Sequence, residues 1–275
     1  RMAAEKSQEI LNEISLRVTP DDEDVLKQIA MTAMTGKGAE DSRVSFAEII
    51  VRAVKQIQTN GKINLEDIKI EKSKGDSIED TELISGIVLD KEKVSHDMPG
   101  IVRNAKIAIV DFPLEFKNPE IDTKVSISSP EQLQSFLVQE ESMIKEMVRK
   151  LKNSGANVVF CQKGIDDFAQ YLLSKEKIYA CRRVAKSDME KISKATGGKI
   201  VSNLNELSLN ELGEAEIVEE VKHGEDSYTY IKGCRNPKAL TILIHGGSDH
   251  VIDEIERALK DGLGDVACAL KSGLI

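Results

Sequence analysis

The first candidate for a chemical site is a glycine pair between an apolar segment and an amphipathic one. Gly246 and Gly247 follow the apolar run 240–244 and precede a helical pattern that starts near Ser248. Such a strand-to-helix turn can hold a phosphate group, because free N–H groups and the helix dipole favour an anion there. A bare glycine pair equally suits a hinge between domains, since glycine adopts backbone conformations that other residues avoid. Both interpretations are open at this point.

The amphipathic segment carries a candidate acid on its polar face. Asp261 lies four residues after Arg257, a spacing at which most acids simply form a solvated pair with the base. Gly262 and Gly264 beside it are unusual, because a glycine within a helix costs about 1 kcal/mol relative to alanine. They indicate close packing, a kink or a hinge near Asp261. The apolar positions of the same segment recur at helical spacing: Ile252, Ile255, Leu259, Leu263, Val266 and Leu270.

Two further motifs have a structural interpretation that we prefer. Residues 35–38, Thr-Gly-Lys-Gly, match part of the phosphate-loop (Walker) motif. The match is incomplete, because Met31 occupies the position of a required glycine and Gly38 that of a required Ser or Thr. We interpret them as a turn between helices. Asp166 and Asp167 could bind a metal. Adjacent acids at the start of a helix, however, usually stabilise the helix through their favourable interaction with its dipole.

The cysteines and histidines do not predict a metal site or a disulfide framework. The four histidines are scattered, and His245 and His250 are five residues apart, which does not match the spacing of a helical zinc pair. No Cys-x-x-C motif occurs, so we expect reduced, mostly packed thiols in a cytoplasmic protein. The cysteines are Cys161, Cys181, Cys234 and Cys268.

Length and charge exclude several classes of protein. A chain of 275 residues predicts two domains. The net charge of −9 argues against nucleic acid or an anionic membrane as the main partner, because phosphate groups are bound by basic surfaces. No apolar run approaches the roughly 20 residues that span a bilayer, and the amino end shows no apolar core of a signal peptide.

The elements that position these residues form an α/β arrangement with helices at both ends. We predict helices over 2–16, 19–33, 42–58, 129–153, 165–174, 187–196 and from Ser248 onwards. We predict strands over 68–72, 83–89, 106–112, 157–161, 178–181, 199–201, 215–221, 228–231 and 240–244. The second helix is predicted to start with Thr19 as N-cap and Pro20 at its first position. This order suggests a strand-containing domain inserted into a helical one.

The helix over 129–153 is the strongest helical pattern, with a serine N-cap, a proline and a capping-box glutamine at its start. At about 1.5 Å per residue it is as long as a small domain is wide. We therefore expect Leu133, Phe136 and Leu137 to project and stay partly exposed, as in proteins that bind varied partners.

Several long stretches resemble the group II chaperonins, the thermosome and eukaryotic cytosolic type. They are MTAMTGKGAE, ANVVFCQKGIDDFAQYLLSKEKIYACRRVAKSDMEKISKATGGKIV and LTILIHGGSDHVIDEIERALKDGL. The resemblance covers essentially the whole chain, and the archaeal thermosome is the closer match. The family's phosphate-binding motif, Gly-Asp-Gly-Thr-Thr, does not occur in this sequence. The resemblance thus implies part of a longer subunit, without the equatorial domain that binds ATP.

The resemblance implies a discontinuous, mostly helical intermediate domain formed by residues 1–84 and 238–275. An apical domain, 85–237, would be inserted into it, with a β-sandwich or α/β core and a long helical protrusion at about 114–145. Gly246 and Gly247 would then act as a hinge near the domain boundary, with no phosphate bound. The family commonly has a bulkier residue, often alanine, at the position of Gly262.

The resemblance also implies roles for individual residues. Asp261 matches the aspartate that positions the water attacking the nucleotide when the ring closes. Residues that would contact unfolded chains or neighbouring lids lie on the protrusion and on one apical helix: Phe116, Ile121, Leu133, Phe136, Leu137, Phe168 and Tyr171.

The implied function is that of an ATP-dependent folding chaperone, which encloses non-native polypeptides in a double ring of subunits with a built-in lid. ATP and Mg would bind the complete subunit, whereas this chain alone would bind non-native protein without a cofactor and without ATP hydrolysis. The alternative from another class is a free-standing apical-type binding module without a ring. An enzyme with phosphate at Gly246–Gly247 ranks third.

Overall fold

The chain divides into two compact units. A computed structural model describes residues 2–38, 42–59, 61–115, 130–224, 226–234 and 238–274. The first unit combines Arg1–Ile84 with Lys238–Ile275, and the second unit is Ser85–Pro237. The second unit is therefore an insertion into the first, and each has its own sheet and core.

The helices of the described chain lie mostly at the ends of the sequence and around the second unit's sheet. In chain order they are α1 (Met2–Ile14), α2 (Glu23–Ala33), α3 (Arg43–Ile57), α4 (Pro130–Asn153), α5 (Asp167–Lys175), α6 (Lys186–Thr196) and α7 (Asp249–Ser272). None of the helices, as far as the chain is described, is long and apolar enough to cross a membrane.

The strands belong to two separate sheets. In chain order they are β1 (Ile68–Lys74), β2 (Glu82–Ile84), β3 (Gly86–Leu89), β4 (Ile101–Val110), β5 (Val158–Cys161), β6 (Tyr179–Cys181), β7 (Ile200–Val201), β8 (Gly213–His223), β9 (Asp226–Lys232) and β10 (Leu240–Gly246). The α/β fold class predicted from the sequence is confirmed.

The first unit is built around β10, which is buried along its whole length. The strand order is β1-β10-β2, with β1 parallel to β10 from the pair Ile68 and Leu240 onwards, and β2 antiparallel to it. Helices α2, α3 and α7 pack together and share one apolar core with the sheet. Leu26, Ile50 and Leu259 lie at 0% exposure in this core. The apolar stripe of α7 thus faces inward, and its polar side faces solvent.

The second unit contains a seven-stranded mixed sheet in the order β3-β9-β8-β4-β5-β6, with β7 paired to β4. Along its length β4 changes partners: β8 pairs with it as far as Ile107, and β5 and β7 pair with its end. The second half of α4 and the inner side of α5 cover one apolar cluster of this sheet, which includes Val148 and Leu173. Helix α6 packs against β3, β4 and β8.

Two predicted boundaries were wrong for local reasons. Helix α2 begins at Glu23 and not near Pro20, because the Asp22 carboxylate accepts hydrogen bonds from the backbone N and the hydroxyl of Thr19, each at 2.8 Å. These bonds close a turn before the helix. At the other end of the chain, His245 and Gly246 continue β10 and are not part of a turn.

The strand predicted over 83–89 is two strands that belong to different sheets. Residues up to Ile84 pair with β10, and residues from Gly86 pair with β9. Gly86 is required at the start of β3, because an added Cβ would lie 1.9 Å from the carbonyl oxygen of Ile231. The pattern over 83–89 is largely apolar, so it does not indicate that the segment changes from one partner strand to another.

Candidate functional site

The structure pairs Asp261 with a residue that sequence analysis assigned only to a turn. Asp261 lies on the exposed side of α7, and its carboxylate accepts a hydrogen bond from the ammonium group of Lys37. The same ammonium donates to the carbonyl oxygen of Ala33 at 2.9 Å. Lys37 thus caps the end of α2 and binds Asp261 at once. The signal that could have identified it was the Thr-Gly-Lys-Gly motif.

The loop after α2 lies along α7 because of its glycines. Gly36 has φ +76°, a left-handed conformation that turns the chain after the helix. At Gly38 an added Cβ would be 2.9 Å from the carboxylate oxygen Oε2 of Glu254. The loop therefore lies against α7 at two places, Glu254 and Asp261, which are about two helical turns apart.

An arginine adds a second cation to this loop region. Arg43, at the start of α3, donates from Nη1 to the hydroxyl of Thr35 at 3.2 Å. Its Nε is buried and has no hydrogen-bond partner among the described residues, which exclude 39–41. The Lys37 side chain is 20% exposed and that of Asp261 is 50% exposed. A carboxylate bound by a lysine ammonium can orient a water molecule near a negatively charged phosphate.

Ion pairs hold the amino-terminal half of α7 against β1. The Lys72 ammonium binds Asp253 at 2.7 Å and Glu256 at 2.6 Å, and Lys260 binds the other oxygen of Glu256 at 2.6 Å. Hydrogen bonds to Asp253 and Glu256 raise the pKa of Lys72. Partial burial would raise the pKa of Glu256, but hydrogen bonds from Lys260 and Lys72 outweigh it and lower that pKa. The helix that carries Asp261 is therefore fixed over β1 by paired charges.

Close packing explains Gly262, whereas Gly264 faces open space. A Cβ on Gly262 would lie 2.6 Å from Cδ1 of Ile50, so α7 approaches α3 closely there. A Cβ on Gly264 would meet no atom within 4 Å. The helix runs without interruption from Asp249 to Ser272 through both glycines. Of the three explanations offered by the sequence, packing accounts for Gly262.

Gly246 and Gly247 lie within the first unit. Gly246 is the last residue of β10, and an added Cβ would be 2.8 Å from Cγ1 of Ile252. Gly247 is exposed, and neither glycine has a positive φ. Gly246 is thus required for packing against α7, and the hinge role of the two residues stays a prediction.

Both α4 and α5 of the second unit carry exposed apolar side chains. Phe136 and Leu137 are 41% and 53% exposed, as expected from the sequence, and Tyr171 is 52% exposed. Helix α4 also exposes two apolar residues that were not predicted from the sequence, Val138 and Met143. Among the other predicted contacts, Phe116 and Ile121 lie outside the described residues, and Leu133 is in α4 with its side chain outside the description.

Phe168 and Tyr171 are the predicted contact residues that the structure brings together. Their ring centroids are 6.4 Å apart with an angle of 20° between the planes. The Asp166 carboxylate accepts from the backbone N of Phe168 at 2.8 Å and so caps α5, as its position at a helix start indicated. Phe168 also packs on the apolar core, which leaves Tyr171 as the exposed ring of the pair.

The buried cysteines are not nucleophiles. Cys161, Cys181 and Cys234 are free and buried. Burial raises the pKa of their thiols to about 11, about 12 and about 11, respectively. Near neutral pH these side chains are protonated and act as packing groups.

Comparison with known proteins gives the family. The model of the TCP-1/cpn60 chaperonin family matches residues 1–275. The chain belongs to this chaperonin family. It is 55% identical to thermosome subunit beta of Archaeoglobus fulgidus and 53% identical to the thermosome subunit of Methanopyrus kandleri. Each match covers 100% of this chain and 51% of the relative.

A solved structure supports the same relationship. The open-state monomer of a group II chaperonin from Methanococcoides burtonii is 44% identical, with a TM-score of 0.78, over 98% of this chain and 62% of that one. The chain thus spans about half the length of the curated relatives it matches. The resemblance to group II chaperonins inferred from the sequence is confirmed.

Proposed function

We propose that this chaperonin-family chain binds non-native polypeptides through the second unit and forms part of an ATP-driven, cytoplasmic folding machine. In this proposal the first unit acts as the intermediate domain, and the second unit acts as the apical domain. The observation that carries the proposal is the group of large apolar side chains left exposed on α4 and α5: Phe136, Leu137, Val138, Met143 and Tyr171. Unfolded chains expose apolar groups that such a surface can bury.

The first unit would contribute one side of a nucleotide site. Asp261 offers an exposed carboxylate, and Lys37 and Arg43 offer positive charge, a combination that fits a water molecule beside a phosphate group. In the complete subunit, ATP with Mg would supply the phosphoryl group to be hydrolysed and the metal charge that stabilises it. Within this chain, Asp261 would hold the water and Lys37 would hold Asp261. We expect no ATP hydrolysis by this chain alone.

The binding activity can be tested with the chain as it is. Light scattering follows the aggregation of a chemically denatured client protein with and without the chain. We expect the chain to suppress aggregation equally with and without ATP. The double variant Leu137→Ser, Val138→Ser should weaken suppression, whereas the control Ile101→Ser, which removes an exposed apolar group on β4, should not. Failure of the unmodified chain to suppress aggregation would contradict the proposal.

We further propose that the complete subunit assembles with other subunits in a double ring. A passive binding module without a ring would also suppress aggregation without ATP. Electron microscopy of the complete subunit separates the two, because the ring proposal predicts closed double rings and the passive module predicts separate monomers.

A further inference from the structure

Two lysines lie over the aromatic pair of α5. The ammonium of Lys145, from α4, is 5.4 Å from the ring centroid of Phe168, and that of Lys175 is 5.4 Å from the centroid of Tyr171. An ammonium above a ring face is attracted by the ring quadrupole. Each lysine therefore holds its ammonium group over the face of an aromatic ring.

The two ammonium groups differ in their other partners. Lys145 is also paired with Glu141, one turn earlier on α4, at 3.1 Å. Lys175 has no carboxylate within ion-pair distance in the part of the chain that the structure describes. Nearby, Glu176 is bound by Lys152 at 2.5 Å, so its charge is already compensated. The ring surface consequently presents an ammonium group that an incoming carboxylate can bind.

We propose that this surface, Phe168 and Tyr171 with Lys145 and Lys175, selects client segments in which an aspartate or glutamate stands beside a large apolar side chain. The inference rests on the proposed binding of non-native polypeptides. The client carboxylate draws an ammonium from the ring, and the freed ring face receives the apolar side chain. The lysines thus act as covers that an acidic segment opens.

Charge complementarity determines this choice of client. A neutral apolar segment must displace the Lys175 ammonium from the Tyr171 ring without offering it another partner. A basic segment adds repulsion between like charges. An acidic segment replaces the cation–π contact with an ion pair. Of the three kinds of segment, only the acidic one therefore provides a new interaction for the displaced ammonium.

The test uses three fluorescein-labelled, unstructured peptides with the same apolar residues, flanked by glutamate, glutamine or lysine. Fluorescence anisotropy gives their Kd for the chain at low and high salt. We expect the glutamate peptide to bind about two- to fivefold more tightly than the glutamine peptide, the size of effect typical of exposed charge pairs. High salt should reduce this ratio, because exposed charges are screened.

Substitutions test whether the two lysines cause the preference for the glutamate peptide. In Lys145→Gln, Lys175→Gln the preference for glutamate should disappear, while the glutamine peptide binds as well as before or more tightly. Lys175→Arg should keep the preference, and Lys186→Gln, which removes an exposed charge from α6, should leave it unchanged. Thermal unfolding of each variant confirms that the fold is retained.

The outcomes separate this inference from the proposed function. Equal binding of the three peptides, or a preference that survives the double lysine substitution, would overturn the inference and leave the binding function in place. No binding of any peptide would overturn both.

Discussion

The ammonium of Lys37 joins two structural elements by donating to the Ala33 carbonyl at the end of α2 and to the Asp261 carboxylate on α7. The two charged residues are 224 positions apart in the sequence. Because the lysine is fixed at the helix end, it restricts where the carboxylate can lie. We infer that Lys37 positions Asp261, a role distinct from that of the acid itself.

Asp261→Asn should abolish most ATP hydrolysis by the complete subunit. The amide keeps the shape of the side chain but cannot accept a proton or orient water as a carboxylate does, so we expect a loss of about 10²-fold or more in kcat. Steady-state phosphate release measures it. Asp265→Asn, an exposed acid one turn later on α7, is the matched control and should keep full activity. Near-normal hydrolysis by Asp261→Asn would contradict the assignment.

Lys37→Met should change stability little. Half of the Asp261 side chain is exposed, and ion pairs with a solvated partner contribute about 0–1 kcal/mol, so the urea midpoint of the chain should shift only slightly. In the complete subunit the same substitution should slow phosphate release, because Asp261 loses its positioning partner. Lys37→Arg should keep part of the rate of phosphate release that Lys37→Met loses. A large stability loss with an unchanged rate would show that Lys37 is structural.

Alanine at the two glycines of α7 should have different effects on stability. Gly264→Ala should stabilise the first unit by about 1 kcal/mol, because its Cβ enters open space and alanine favours the helix. Gly262→Ala should gain less or lose stability, since Ile50 must move. Adding Ile50→Val to Gly262→Ala should recover part of the difference. Denaturant unfolding measures the series, and equal effects of the two alanines would argue against the packing at Ile50.

The ion pairs of Glu256 predict loss of stability in acid. Its pKa is lower in the folded chain than its usual value of 4.5, so the folded state binds this proton less readily than the unfolded state. The stabilisation is therefore present above about pH 4.5 and is lost as the pH falls through the folded pKa. In a plot of urea midpoint against pH, Glu256→Gln should show a smaller decrease of the midpoint at acidic pH than the unmodified chain. Asp265→Asn removes an acid without an ion pair among the described residues and serves as the control.

Local patterns predicted the helices well and the partners of strands poorly. The spacing of apolar residues and the capping signals gave α3, α4 and α7 nearly to their ends, because helices are stabilised by neighbours in the sequence. The break between Ile84 and Gly86 depends on which distant strand each residue pairs with, and no local pattern records that choice. The start of α2 was predicted too early because the Asp22 carboxylate accepts hydrogen bonds from the backbone N and the hydroxyl of Thr19, so Thr19 does not cap the helix.

The candidate sites follow the same division. Asp261, Phe168 and Tyr171 were identified because they lie in segments that resemble a known family. Lys37, Lys145 and Lys175 were not, because their importance comes from contacts that only the folded chain makes. A lysine on a helix surface has the same sequence pattern whether it faces water or an aromatic ring.

The central position of β10 has a consequence for the order of events on the ribosome. Among the described residues, strands β1 and β2 pair with β10 alone, and β10 is synthesised after the whole inserted unit. Until β10 emerges, the earlier segments of the first unit lack both their sheet partner and helix α7. The described strands of the inserted unit, by contrast, are all synthesised by residue 232, and domains generally fold as units during synthesis. We therefore expect the second unit to fold first, so that the proposed client-binding surface is formed before the first unit is complete.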